Sequence, residues 1–214
     1  MQKYHARSEP GVEVPAWILP LASCRFLEKA AALLPEGSSA FEFGSGRSTH
    51  ALRRATAATA SIEDSADWLS RTEQLEEAIA KREKDFSAVV PLTRCWNRCR
   101  PIESFNVGAE RESLERLQHA RLILVDSPPN PAKREHALYL AMDHAPAGAV
   151  IVLDDLEVPA TSRFAHRLAR QNAASFRFWL LEIDHKLGVF LKRRSGKIRS
   201  RPTLREFGGA WLRA

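Results

Sequence analysis

Apolar residues follow two different spacings along this chain, and the spacing changes from one segment to the next. Short apolar runs predict strands at 39–43, 59–63, 86–92, 121–125, 149–153, 176–183 and 187–192. Apolar residues three or four positions apart predict helices at 16–34, 47–56, 65–81, 131–144 and 161–172. Segment 93–119 fits neither spacing well, and we interpret it as a loop followed by a short helix.

The order of these elements predicts the fold class. Strands that alternate with helices form a mostly parallel sheet with helices on both faces. The last two strands are joined by a tight hairpin at 184–186, so the final strand runs antiparallel to its neighbour. We therefore expect an α/β fold with a Rossmann-like, doubly wound, seven-stranded sheet over residues 39–193. Residues 1–38 are expected to add a helical segment that packs on this domain, and residues 194–214 a basic tail.

Composition places the chain among ordinary globular proteins. Of the 214 residues, 44% are hydrophobic and 27% are charged. No apolar run approaches the ~20 residues of a membrane span, and the first residues lack the apolar core of a signal peptide. Three cysteines, an odd number, fit a reducing compartment better than a disulfide framework. We expect a cytoplasmic protein.

The formal net charge of +6 is concentrated near the end of the sequence. Seven basic residues and no acidic ones lie in the segment from Lys192 to Arg205, and the rest of the chain is nearly neutral without them. Basic runs at chain ends are usually solvated, so nucleic-acid binding through this tail stays open but is not favoured.

The end of the first predicted strand carries the first candidate binding residues. Glycines allow a ligand to approach the backbone closely, and the helix that follows presents unpaired N–H groups. Ligands of open α/β sheets bind at the carboxyl ends of the strands. The residues concerned are Glu42, Gly44, Ser45, Gly46, Ser48 and Thr49.

Glu63 and Asp64 end the second predicted strand, about 20 residues past the glycines. An acid at this place suits a ribose diol, which donates two hydrogen bonds. The alternative for Glu63 is a surface acid at the end of a strand.

In these motifs the chain resembles class I S-adenosylmethionine-dependent methyltransferases. Their acid-x-Gly-x-Gly motif is matched by Glu42 to Gly46, and the acid after their second strand by Glu63. The resemblance implies S-adenosylmethionine as cofactor, with Glu42 near the amino end of its methionine part. A cationic ligand beside Glu42 would explain an acid inside an apolar strand. Asp126, at the end of a later strand, joins the expected cofactor contacts.

Three acids follow later strands: Asp126 after one, and Asp154 and Asp155 after the next. If the strands are neighbours, these carboxylates converge, and they repel one another unless a cation or a proton lies between them. Oxygen ligands suit Mg²⁺ or Ca²⁺. The pattern resembles metal-dependent small-molecule O-methyltransferases, in which the metal chelates substrate oxygens and lowers the pKa of the attacking hydroxyl. Alternatively, Asp126 lines the cofactor pocket and Asp154 caps a loop or helix.

Two further positions are candidates for contact with a substrate. His185, in the last hairpin, is expected with Asp126 among the catalytic residues, as a base or a substrate contact; the alternative is a solvent-exposed histidine. Lys133 and Arg134 begin a predicted helix and are candidates for contact with an anionic substrate or Asp126; the alternative for both is a surface role.

The sequence thus favours O-methylation of a small molecule or a sugar, assisted by Mg²⁺ if the acids bind it. Two alternatives remain: an RNA methyltransferase that uses the basic tail, and a methyltransferase-like protein that transfers no methyl group. The substrate is expected to be a small molecule or a glycan, and a homodimer stays open.

Overall fold

A single sheet of seven strands forms the centre of the protein, described here from a computed structural model covering residues 19–75, 79–97 and 100–198. The described residues form nine strands: β1 (Ser39–Phe43), β2 (Ala58–Glu63), β3 (Phe86–Val89), β4 (Leu92–Asn97), β5 (Arg100–Phe105), β6 (Leu122–Val125), β7 (Val150–Leu153), β8 (Phe176–Glu182) and β9 (Lys186–Lys192). The sheet has the order β3-β2-β1-β6-β7-β9-β8, while β4 and β5 form a separate hairpin. Only β9 runs in the opposite direction to the other strands of this sheet, so the predicted fold class is confirmed.

Six α-helices are described, and they lie on both faces of the sheet. They are α1 (Leu21–Ala32), α2 (Arg47–Ala55), α3 (Ala66–Thr72), α4 (Arg111–His119), α5 (Pro131–His144) and α6 (Pro159–Gln171). Helix α5 begins with a proline after Asn130, whose side chain accepts a hydrogen bond from the N–H of Ala132 at 2.9 Å. A cap followed by proline at the first helical position is a strong helix start, and the predicted start of this helix is correct.

Strand β6 shows how the two faces are filled. All four of its residues are apolar and fully buried, as expected of a central parallel strand covered on both faces. Ile123 and Val125 belong to the cluster formed with α4, α5 and α6, whereas Leu122 and Leu124 belong to the cluster formed with α1 and α2. Successive residues alternate between these clusters because side chains of a strand point to opposite faces.

The N-terminal helix α1 packs directly against α2. Cys24, Leu27 and Ala31 are buried in the cluster that also holds Ala51 and Leu52. Burial raises the pKa of the Cys24 thiol to about 12, so this cysteine stays protonated as part of the core. Among the described residues, no helix combines the length and apolar character that crossing a membrane requires.

The helix predicted for 65–81 is shorter than expected, because α3 ends at Thr72. A buried histidine of α2 holds the chain beyond it. The Nδ1 atom of His50 accepts a hydrogen bond from the N–H of Ile79 at 3.0 Å, so Nε2 carries the proton and donates to the carbonyl of Thr72 at 2.8 Å. Residues 76–78 lie outside the described part of the chain.

The hairpin of β4 and β5 replaces the loop predicted at the start of segment 93–119. Charged residues interrupt the apolar alternation there, so the sequence pattern does not indicate strands. The apolar Trp96 does not mark a buried face either, because it is 69% exposed. Contacts with α5 support the hairpin instead. Ser104 donates to the carbonyl of Lys133 at 3.3 Å, and the Lys133 ammonium lies 3.1 Å from a Glu103 carboxylate oxygen.

Lys192 differs from the solvated residue expected at the start of the basic segment. Its side chain is buried, and its ammonium donates to the carbonyls of Met142 at 2.7 Å and Asp143 at 3.1 Å. These carbonyls belong to the last turn of α5, where a cation is favourable because the helix dipole is negative. The predicted tail at 194–214 is described only as far as residue 198.

Candidate cofactor and active site

The candidate site lies at the carboxyl edge of the sheet, the edge where β1, β2, β6 and β7 end. The glycine corner, Gly44 to Gly46, joins β1 to α2 at this edge. Gly44 has a φ of 106°, which L side chains rarely adopt, and a Cβ there would lie 2.9 Å from the Cβ of Ser127. The corner therefore passes directly against the loop that follows β6.

Glu42 is fully buried behind the glycine corner, where three hydroxyl groups surround it. Its carboxylate accepts hydrogen bonds from Ser48, from Thr49 at 2.7 Å and from Ser61 at 2.9 Å. Burial raises the pKa of Glu42 to about 7, although the three hydrogen bonds oppose the shift. The cationic ligand expected beside Glu42 is not needed to explain its burial, because these hydroxyls satisfy it. Ser48 and Thr49 accordingly contact Glu42.

Glu63 holds the glycine corner to the end of β2. One carboxylate oxygen accepts hydrogen bonds from the N–H and hydroxyl of Ser45, at 3.0 and 3.2 Å. The other accepts from the N–H groups of Asp64 and Ser65, at 3.0 and 3.2 Å. Burial raises the pKa of Glu63 to about 7. The Asp64 residue is exposed.

Trp68 is a part of this corner that the sequence did not single out. Its indole N–H donates to the carbonyl of Ser45 at 2.6 Å. Ser45 thus has its N–H held by Glu63 and its carbonyl held by Trp68, both from the segment around the end of β2. Ser65, which caps α3 by accepting from the N–H of Trp68 at 3.2 Å, places the indole at this point.

The acid cluster, formed by Asp126, Asp154 and Asp155, gathers as predicted because β6 and β7 are neighbours. One oxygen of each carboxylate lies within 4.8 Å of the others. Burial and the neighbouring charge of Asp154 hold the pKa of Asp126 well above its usual range. Burial would also raise the pKa of Asp154, but hydrogen bonding to His185 and Asp126 lowers it overall. The pair therefore divides into Asp126, which holds a proton more readily than an ordinary carboxylate, and Asp154, which ionises more readily.

His185 lies inside the site rather than in solvent. Its Nε2 donates to the Asp154 carboxylate, and its Nδ1 lies 3.2 Å from the hydroxyl of Ser23 in α1. Burial lowers the pKa of His185, yet the hydrogen bond and charge of Asp154 raise it overall. Both ring nitrogens thus have protein partners, which links α1 to the acid cluster across 162 positions of sequence.

Of the two predicted basic contacts, only Arg134 enters the site. Its guanidinium contacts Asp126 and Asp155, whereas Lys133 points to Glu103 of the hairpin. A cavity of about 290 Å³ lies elsewhere, at the amino ends of β1 and β2, lined in part by Ser39, Ala58 and His119. We place the candidate site at the carboxyl edge because the acids and the glycine corner meet there.

Solved structures share this fold at low sequence identity. A putative caffeoyl-CoA O-methyltransferase from Staphylococcus aureus is 12% identical, with a TM-score of 0.56 over 84% of this chain and 86% of that chain. An SAH-bound methyltransferase from Podospora anserina is 14% identical, with a TM-score of 0.59 over 85% and 83%. A putative rRNA methylase from Clostridium thermocellum is 10% identical, with a TM-score of 0.57 over 83% and 99%.

These likenesses define the class of fold. The chain has the Rossmann-like fold of class I S-adenosylmethionine-dependent methyltransferases, so the predicted resemblance is confirmed at the level of the fold. The neighbours include methyltransferases of small molecules and of RNA by their descriptions. No family model matches the sequence, and no curated protein matches it.

Proposed function

We propose that this chain is an S-adenosylmethionine-dependent methyltransferase that methylates a hydroxyl group of a small molecule or a glycan. The observation that carries the proposal is the direct hydrogen bonding between Glu63 and Ser45, the residue between the two glycines. This contact joins the two sequence features expected to bind the nucleoside. The acid cluster lies at the same edge of the sheet, where an acceptor would meet the methyl group.

The cofactor would be held first by the glycine corner and Glu63. Three backbone N–H groups, of Ser45, Asp64 and Ser65, fix the orientation of the Glu63 carboxylate. A carboxylate offers about four lone-pair sites, and the hydroxyl of Ser45 fills the fourth. That hydroxyl also lies 3.3 Å from the hydroxyl of Thr72, so a ribose hydroxyl would take its place on an acceptor whose position is already set. Preorganisation of this kind lowers the entropy cost of binding.

The chain's own residues would align the acceptor and remove its proton. When bound, S-adenosylmethionine would supply a methyl group on a positively charged sulfur, and the sulfur would keep the electron pair of the C–S bond as the acceptor oxygen forms the C–O bond. The acceptor hydroxyl must lose a proton, and we assign that proton to the ionised form of Asp126. Its side chain is 27% exposed, and its raised pKa makes it a better base than an ordinary carboxylate. Asp154 stays ionised and holds His185.

Replacement of Glu63 by Gln is expected to weaken binding of S-adenosylhomocysteine by about tenfold or more, because an amide replaces one acceptor oxygen with a donor. Isothermal titration calorimetry measures the affinity. Asp67→Asn is the matched control, because it removes a nearby exposed acid of α3 without touching the glycine corner. Equal affinities of the wild-type protein and Glu63→Gln for S-adenosylhomocysteine would contradict the proposed cofactor site.

The choice between a small hydroxyl acceptor and RNA depends on the basic tail. We expect removal of residues 199–214 to leave methylation of small hydroxyl compounds unchanged, because the acid cluster and the glycine corner lie in the described part of the chain. Transfer of labelled methyl groups to a panel of phenols, sugars and RNA measures this. Methylation of RNA alone, lost with the truncation, would replace the proposal with the RNA alternative.

A further inference from the structure

Arg134 is a buried cation at the centre of the acid cluster. Its side chain is 4% exposed, and its Nε donates to the carbonyl of Pro128 at 3.1 Å. One terminal nitrogen forms an ion pair with the Asp155 carboxylate. The other donates to the backbone carbonyl of Asp126 and lies 3.6 Å from its carboxylate. All three guanidinium nitrogens are therefore engaged at the carboxyl edge.

The position of Arg134 in its helix calls for a specific reason. It lies in the first turns of α5, where the helix dipole disfavours a positive charge. Asp155 supplies the other half of the pair from an unusual backbone conformation, with a φ of 59°, which aspartate tolerates better than most residues. The ion pair thus joins a cation at the start of a helix to an aspartate with a positive φ, and each of these is unfavourable by itself.

A divalent ion does not fit the acid cluster as it is built. Mg²⁺ requires short contacts to several oxygens in near-octahedral geometry. The guanidinium already occupies an oxygen of Asp155 and faces an oxygen of Asp126, and His185 occupies an oxygen of Asp154. An ion bound to these oxygens would lie beside the charge of Arg134, whose side chain is only 4% exposed, so the repulsion is screened less than between two solvated charges. The predicted Mg²⁺ therefore disagrees with the partners that these carboxylates have.

We propose that Arg134 is the resident cation of the acid cluster and takes the place that a divalent metal ion would otherwise occupy. Arg134 is a positioning residue: it neutralises Asp155, orients Asp126 and leaves no metal site. On the proposed function, methyl transfer then proceeds without an added metal. The acceptor is held by hydrogen bonds to carboxylates, not by chelation of two of its oxygens.

Titration with Mn²⁺, followed by its electron paramagnetic resonance signal, tests the proposal without a methyl acceptor. We expect the wild-type protein to bind no Mn²⁺ at this cluster at millimolar concentrations. Arg134→Met removes the charge and keeps an apolar stem, and it is expected to bind Mn²⁺ at least about tenfold more tightly than the wild type. Arg134→Lys keeps the charge and is expected to behave as the wild type.

Two further variants keep the outcome interpretable. In Arg134→Met, the added change Asp155→Asn is expected to weaken Mn²⁺ binding again, which assigns the ion to the cluster. If Arg134→Met does not fold, the wild-type titration decides: Mn²⁺ binding that Asp155→Asn abolishes overturns the proposal. Tight binding by Arg134→Lys overturns it as well. The Mn²⁺ titration does not depend on methyl transfer. A protein without methyltransferase activity would therefore contradict the proposed function but would leave the result of this titration valid.

Discussion

Gly44→Ala is expected to lower the free energy of unfolding by about 3 kcal/mol, from backbone strain and overpacking together. The φ of 106° at Gly44 is unfavourable for a residue with a Cβ. The added methyl group would also lie 2.9 Å from the Cβ of Ser127 and 3.5 Å from its backbone nitrogen. Since the backbone nitrogen cannot move independently, the loop after β6 must shift. Urea denaturation monitored by tryptophan fluorescence measures the loss.

A double-mutant cycle separates the two causes. Ser127→Gly removes the atom nearest to the new methyl group, so Gly44→Ala should cost about 1 to 2 kcal/mol less in that background. Gly46→Ala is the matched control, because a Cβ there meets nothing within 4 Å. A loss in Gly46→Ala as large as in Gly44→Ala would show that the contact between the two loops is not the cause.

Relative to the wild type, Glu42→Gln is expected to gain about 2.5 kcal/mol in free energy of unfolding between pH 5 and pH 8. The pKa of Glu42 is about 7 in the folded protein and about 4.5 when solvated. The folded state therefore binds a proton more tightly than the unfolded state. Its stability advantage is complete below pH 4.5 and is lost as the pH rises through 7. Glutamine carries no charge and avoids this loss.

The readout for Glu42 is the change with pH, not the stability at one pH. Any constant cost of placing an amide among the hydroxyls of Ser48, Thr49 and Ser61 cancels in that difference. Glu63 also has a pKa of about 7, so part of the pH dependence should remain in Glu42→Gln. Parallel stability curves for the variant and the wild type from pH 5 to pH 8 would contradict the burial of an ionisable Glu42.

The sequence predicts which residues lie in the site more readily than it predicts the partners of those residues. The acids at the ends of β6 and β7 and the glycines after β1 were found because strand ends follow from the apolar pattern. The partners of these residues do not follow from that pattern, as Glu42 illustrates. A cation was expected beside it, whereas hydroxyl groups enclose it, one of them from Ser61 in β2. No local pattern marks a serine as the partner of an acid that lies 19 positions away.

The local spacing of apolar and polar residues in the sequence determined by itself the sheet, its antiparallel last strand and the edge at which the candidate site lies. Each of these follows from residue spacing over a few turns or strand lengths, which the backbone geometry imposes. Only the tertiary structure decided that β4 and β5 form a hairpin and that Lys192 caps α5. It also decided that Arg134 and His185 are the partners of the acid cluster. Such partners depend on burial and on segments brought together from distant parts of the chain, as in the contact between Ser23 and His185.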